Sequence, residues 1–266
     1  MTYVNYSLHV ERVEMKFEAK SVGRMRIPPD KVIKLDSAHL RGEDLSGRRI
    51  IQFSAVGSRL EDCRFDGARI DNASFGAGKA TSEYVRCSFD GVRINFGPGG
   101  YARFFACTFR DAKLSNWFCF AVELGRCEFS GLIRKSVFNG TVPKRHRTHA
   151  GRERNEFRDN DFSQAELIDV SFRTGIDLSR QRLPSGKDYL YVQDAESVVD
   201  RAYAEVSAWQ DDGLRSQAMG LIRTLQRTVD GGQQQLLLRE SDFVDSARIS
   251  GKAARAVFEL LRNPMD

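Results

Sequence analysis

The chain has 266 residues, enough for one sizeable domain or for a repeat domain with an appendage. Hydrophobic residues make up 41% and charged residues 29%, and no apolar run approaches the roughly 18 residues that a bilayer crossing needs, so no membrane role is expected. The net charge of +5 admits acidic partners, nucleic acid among them, without demanding one.

The chain opens on alternation. Val4, Tyr6, Leu8 and Val10 face one way and Asn5, Ser7 and His9 the other. Val13, Met15, Phe17 and Ala19 repeat the pattern before Pro28 and Pro29 break it, which predicts short N-terminal strands over residues 1–34. Met1 to Val10 lacks a basic region followed by an apolar core, so no secretion signal is expected. Five cysteines, an odd number, then fit a reducing, cytoplasmic setting.

From Leu35 the period changes. Apolar residues fall at Leu40, Leu45, Ile50, Ala55, Leu60, Phe65, Ile70 and Phe75 in steps of five. Phe89 and Ile94 follow after a spacing that places a small insertion within Gly76 to Ser82, and the register resumes through Phe104, Phe109, Leu114, Leu124 and Phe129. Cys63, Cys87, Cys107 and Cys127 each stand two residues before a phenylalanine, so each unit has a small residue first and a large apolar residue third. A period of five belongs to neither a helix nor an ordinary strand, and a fixed repeat decides the fold before any local propensity does.

These units resemble the pentapeptide-repeat family over about Leu35 to Leu178. The resemblance implies a mainly β fold, a right-handed quadrilateral β-helix in which each unit is one side of a square coil. The third residue then points inward and the first fills the remaining interior. That interior would hold Leu45, Phe65, Phe89, Phe109, Phe129, Phe157, Phe162, Leu167 and Phe172, together with Cys63, Cys87, Cys107 and Cys127, and would place Phe89, Phe109 and Phe129 in one column. Each fully buried large side chain contributes about 1.5–3 kcal/mol.

Counting back from Phe157 in fives would put Arg152 and Arg147 inside the coil, which an unpaired charge forbids, so residues 140–154 are expected to loop out of a repeat that otherwise spans 35–183. Lys144, Arg145, Arg147, Arg152 and Arg154 stand there against Glu153 alone. This basic segment is the candidate binding site, and equally a plain solvated loop. Beyond Leu183-Pro184-Ser185-Gly186, Val198 to Trp209 and Leu214 to Val229 take helical spacing, and a last helix is expected from Ser250 to Leu261. Residues 184–266 thus read as a C-terminal α-helical domain, suited to capping the coil or to pairing two copies.

Other motifs are weaker. Ala73-Ser-Phe-Gly-Ala-Gly-Lys-Ala80 approaches a phosphate loop but lacks its first glycine, its final hydroxyl and a following helix, so no nucleotide is expected. His146 and His149 lie among arginines that would repel a cation, and the cysteines would line a wall instead of converging, so neither metal nor other cofactor is expected. No catalytic arrangement is present in the sequence. The expectation is a non-catalytic scaffold that presents a rigid surface to a protein partner, with nucleic-acid association through the basic segment as an alternative. Some pentapeptide-repeat proteins imitate duplex DNA to protect topoisomerases, which makes a topoisomerase a conceivable partner. That activity asks for an acidic rod, whereas Arg64, Arg69, Arg86, Arg93, Arg103 and Arg110 here mingle with Asp62, Asp66, Asp71, Asp90 and Asp111.

Overall fold

Apolar residues at every fifth position share one interior only if the backbone turns a corner once per unit. The computed structural model, which describes residues 31–97, 100–244 and 248–262, shows how it turns. Gly47, Gly67, Gly91 and Asp111 close successive units on one edge with φ of 66°, 66°, 67° and 50°, and Asp62, Arg86, Ala106 and Arg126 do the same on another edge with φ of 53–54°. Glycine suits the left-handed region because it carries no Cβ. The N-terminal strands expected before Pro28 lie outside the described residues.

Each turn of the coil pairs in parallel with the next. One sheet takes its strands from Lys31–Asp36, Arg49–Val56, Arg69–Ser74, Arg93–Phe96, Thr108–Ser115, Glu128–Asn139 and Asp161–Arg173, with Phe118–Cys119 also paired to the sixth of these. A second sheet runs through His39–Arg41, Arg59–Glu61, Ser82–Val85, Tyr101–Phe105, Ala121–Gly125 and Phe157–Arg158. Register keeps like with like: Leu60 pairs Tyr84, Tyr84 pairs Phe104, and Phe104 pairs Leu124.

The interior is an aromatic stack. Phe65, Phe89, Phe109, Phe129 and Phe162 follow one another with ring centroids 4.7, 4.8, 4.9 and 4.6 Å apart and planes within 14°. Tyr84 lies on Phe104 at 4.7 Å, and its hydroxyl donates to the Phe75 carbonyl at 2.7 Å, so its one polar group is satisfied in the core. Leu45, Phe157, Leu167 and Phe172 are buried as well. Steps of five from Phe129 lead to Arg134, but a register shift between Phe129 and Gly131 turns Ile133 inward and leaves Arg134 exposed.

Four of the five cysteines, Cys63, Cys87, Cys107 and Cys127, fill first positions. Cys87, Cys107 and Cys127 donate to the carbonyls of Leu60, Tyr84 and Phe104 in the preceding turn at 3.4, 3.3 and 3.6 Å. All five cysteines are free and buried. The hydrogen bond with Cys107, and burial, push the Cys87 thiol up to about 12, and burial pushes those of Cys107 and Cys119 well above the usual thiol range, so these thiols stay protonated.

The loop resembling a phosphate cradle has a packing role. Tyr101 donates its backbone N–H to the Gly76 carbonyl at 2.8 Å, and a Cβ on Gly100 would meet that same oxygen at 1.5 Å. Two turns approach here so closely that only glycine fits. Further on, the basic segment holds a helix, α1 (Lys144–Ala150), in place of a plain loop.

After the last turn, Tyr189–Val192 pairs antiparallel with Leu236–Arg239. Between and beyond them run α2 (Ala195–Ser207), α3 (Asp212–Asp230) and α4 (Gly251–Arg262), with Asp194 and Asp211 capping α2 and α3 through the backbone N–H groups of Ser197 and Leu214 at 3.2 and 2.9 Å. Val199, Ile222, Leu225, Val257 and Phe258 turn into a second core against Leu236 and Leu238. No helix among the described residues is long and apolar enough to cross a membrane.

Candidate functional site: the insertion helix and its platform

The insertion leaves and rejoins the coil through a narrow neck. Thr141 bridges Arg154, Val142 N–H donates to the Glu153 carbonyl at 2.8 Å, and Asn155 N–H donates to the Gly140 carbonyl at 2.9 Å. Asn155 then reaches back with its amide to the carbonyls of Phe120 and Asn139 at 3.2 and 2.8 Å. The helix ends on Gly151 in the left-handed conformation, with Arg147 and His149 in its last turn, where cations favour the negative end of the helix dipole.

The five basic residues of this segment do different things. Arg152 is folded inward: only 14% of its side chain is exposed, and Nε lies 3.2 Å from a carboxylate oxygen of Glu123, itself 7% exposed. Its remaining donors reach the carbonyls of Ala150 and Ala121 at 3.1 and 2.9 Å. Glu123 also accepts from Arg103 Nε at 2.8 Å and from the Glu156 N–H at 3.2 Å. Desolvation holds the Arg152 guanidinium below its ordinary range, opposed by the Glu123 charge. Arg147 donates to the Val142 carbonyl at 3.1 Å and pairs with Glu153 at 2.7 Å. Arg154 donates to the Gly175 carbonyl at 2.9 Å. Lys144 and Arg145 remain turned to solvent, Arg145 with Nε 3.0 Å from His146 Nε2.

The histidines are platform contacts. His146 Nδ1 meets the Tyr101 hydroxyl at 2.9 Å, its ring stacks on Phe120 at 4.5 Å, and His149 stands edge-on to Tyr101 at 6.1 Å. Burial, with the charge of Arg145, pulls the His146 pKa below its usual value, so it is neutral at physiological pH and makes an uncharged partner for the tyrosine. No group of three or more ligand-type side chains that could hold a metal occurs among the described residues. Sequence reasoning missed Tyr101, Phe120 and Glu123, which carry the helix. It also missed Phe118, 48% exposed and two residues before Phe120.

Arg152 can be tested directly. Arg152→Met is expected to cost about 1–3 kcal/mol, because it leaves Glu123 with one cation instead of two. Limited proteolysis should then cut within 141–154 sooner than in the wild type; an unchanged cleavage pattern would show that this ion pair does not hold the insertion down.

A broad open cleft in the C-terminal part is lined by Lys187, Asp188, Arg239, Glu240, Arg255 and Arg262 among others. Its arginines are engaged: Arg239 with Glu166 at 3.1 Å, Arg255 with Glu240 at 3.2 Å and Arg262 with the Lys187 carbonyl at 2.7 Å.

Beneath the insertion, the third residue of each unit faces the axis, the first fills beside it, and the fifth turns the corner on two edges. The described residues of the coil fold as a parallel β-solenoid built from five-residue units. No family model and no curated protein matches the sequence. Among solved structures it is similar to HetL, a pentapeptide-repeat protein involved in heterocyst differentiation regulation from the cyanobacterium Nostoc sp. strain PCC 7120, at 12% identity over 53% of this chain and 85% of that one, with a TM-score of 0.19. It is also similar to QnrB1, a plasmid-mediated fluoroquinolone resistance protein, at 15% identity over 56% of this chain and 81% of that one, with a TM-score of 0.18.

Proposed function

We propose that this protein is a non-catalytic binding module that offers a protein partner a preformed surface built around the insertion helix. The observation that carries the reading is that α1 is anchored from beneath by Arg152, His146 and Asn155 while Lys144 and Arg145 stay exposed to meet an acidic partner. A helix ordered before binding loses little entropy on association. Phe118 supplies an exposed aromatic side chain close along the chain, the residue type that anchors protein interfaces. The thiols, the chain's strongest potential nucleophiles, are buried in the coil wall, which favours a scaffold over an enzyme.

The test uses the full chain and a triple variant, Phe118→Ser with Lys144→Glu and Arg145→Glu, immobilised at equal density and exposed to lysate of the native host. One or more proteins are expected on the wild type at least tenfold above the variant. Equal recovery on both would place the interaction elsewhere and end this reading.

Nucleic-acid association through the insertion has weaker support, because Arg147, Arg152 and Arg154 donate to the protein itself.

A further inference from the structure

The side chains that leave a solenoid wall are brought into register one turn above another, so a column of surface residues is as ordered as the core. On the face formed by Arg59, Glu83, Arg103 and Glu123, the register pairs Arg59 with Glu83, Glu83 with Arg103, and Arg103 with Glu123. That column alternates in sign and neutralises itself: Arg59 and Arg103 both bind Glu83, the latter at 3.2 Å, and Arg103 binds Glu123 at 2.8 Å. On a different face of the coil, the register pairs Arg49 with Arg69, Arg69 with Arg93, and Arg93 with Lys113. All four are exposed cations.

Like charges directly opposite one another in neighbouring strands repel. The local compensation is small. Asp71 pairs with Arg69 at 2.8 Å and with Arg49 at 3.8 Å, while Arg93 and Lys113 have no ion-pair partner among the described residues. The column beside it adds no other carboxylate: Asn95 pairs with Ser115, Ser115 with Arg134, and Arg134 is exposed. The alternating column shows that this coil can arrange charges to cancel, and the basic column does not do so.

We infer that this face binds the phosphate backbone of a nucleic-acid duplex without regard to sequence. The rod places its cations about 4.8 Å apart, so Arg49 to Lys113 covers about 14 Å, a length of duplex axis that carries about eight phosphates over its two strands. Three of the four are arginines, whose planar fork meets phosphate oxygens two at a time. A protein partner would need an apolar centre to dock on, and the two columns offer Ile51 alone; nucleic-acid interfaces are the more polar and more positive kind. No exposed aromatic ring stands in either column to stack unpaired bases, which favours a duplex over a single strand. This surface is distinct from the insertion, so it stands or falls apart from the protein-binding role.

The test measures fluorescence anisotropy of a labelled random-sequence DNA duplex with the full chain between 50 and 200 mM salt. With about four phosphates neutralised, log K should fall against log salt with a slope of about −3 to −4, so affinity drops roughly a hundredfold across that range. Arg93→Ala with Lys113→Ala should shallow the slope by about two and weaken binding for every sequence alike. The charge-matched control, Arg64→Ala with Arg182→Ala, removes two cations that pair with Asp66 and Asp161 on another face, and should keep the wild-type slope. Thermal midpoints of both variants should stay near wild type, since the four side chains are exposed. Absence of salt-dependent binding, equal loss in the control, or loss on Lys144→Ala with Arg145→Ala instead would overturn the assignment. So would tighter binding of a single strand, or displacement of the duplex by polyglutamate at equal charge, which would point to an acidic protein.

Discussion

Phe109→Ala is expected to lower the unfolding free energy by about 3–5 kcal/mol, the upper range for a single core truncation. Phe109 is fully buried between Phe89 and Phe129, with ring centroids 4.8 and 4.9 Å away, and it also meets Phe104 edge-on at 5.9 Å and Trp117 at 5.9 Å. Truncation removes apolar surface from the core and leaves a void that cannot close, because the turns above and below are held at hydrogen-bond distance: Thr108 N–H reaches the Cys87 carbonyl at 3.1 Å and Glu128 N–H the Cys107 carbonyl at 3.0 Å. Each turn touches mainly its neighbours, so weakening the middle of the stack uncouples the two halves of the rod. Phe109→Leu keeps most of the volume and should cost less than half as much. Equilibrium denaturation in urea provides the measurement. A loss below about 1 kcal/mol for the alanine variant would mean that the column is not the source of the rod's stability.

The repeat was legible because it states one physical requirement many times. A residue facing the axis must be large and apolar, and Phe65, Phe89, Phe109 and Phe129 announce that at fixed spacing; Cys63, Cys87, Cys107 and Cys127 announce the smaller space beside them. The corner signal was present too, in the glycines that close the units at Gly67, Gly91 and Gly131, but solvent exposure alone does not reveal that those positions need positive φ. What happens once cannot be read from a period. The register slip that seats Ile133 is invisible in steps of five, since Arg134 and Ile133 are adjacent and only the strand pairing chooses between them. The site was legible only as a cluster of charge. Counting excluded Arg152 from the coil interior, yet the folded chain buries most of it against Glu123 on the outside of the wall. The partner that makes this tolerable lies far off in sequence, so a segment that reads as a solvated basic loop is a pinned helix. The basic column was hidden for the converse reason: Arg49, Arg69, Arg93 and Lys113 look evenly mixed with acids along the chain and become neighbours only when the turns stack.

An open solenoid end presents unpaired backbone groups, and side chains from the C-terminal part bond to backbone groups of the last turns. Gln233 is fully buried; its carbonyl oxygen accepts from the Gly175 and Ile176 N–H groups at 3.0 Å each, and its amide donates to the carbonyls of Ile176 and Gln235 at 2.9 and 2.8 Å. Gln235 accepts from Leu178 N–H at 2.6 Å, the Tyr189 hydroxyl from Leu167 N–H at 2.9 Å and Asp242 from Asp169 N–H at 3.0 Å. Gln233→Leu keeps the bulk and removes every one of its side-chain hydrogen bonds. Each backbone group stranded in a buried site costs about 1–3 kcal/mol, and water reaching the seam recovers part of it, so a net loss of about 3–5 kcal/mol is expected. Gln233→Glu retains the acceptors but sets an unpaired buried carboxylate against the Ile176 and Gln235 carbonyls, so it should cost at least as much as the leucine variant. Because an uncovered strand edge pairs with another chain, the leucine variant should also form larger species than the wild type at equal concentration. Thermal unfolding and sedimentation read the two effects separately. A lower midpoint without larger species would mean that the helices still cover the end when the glutamine is gone, whereas an unchanged midpoint would show that Gln233 does not hold the cap.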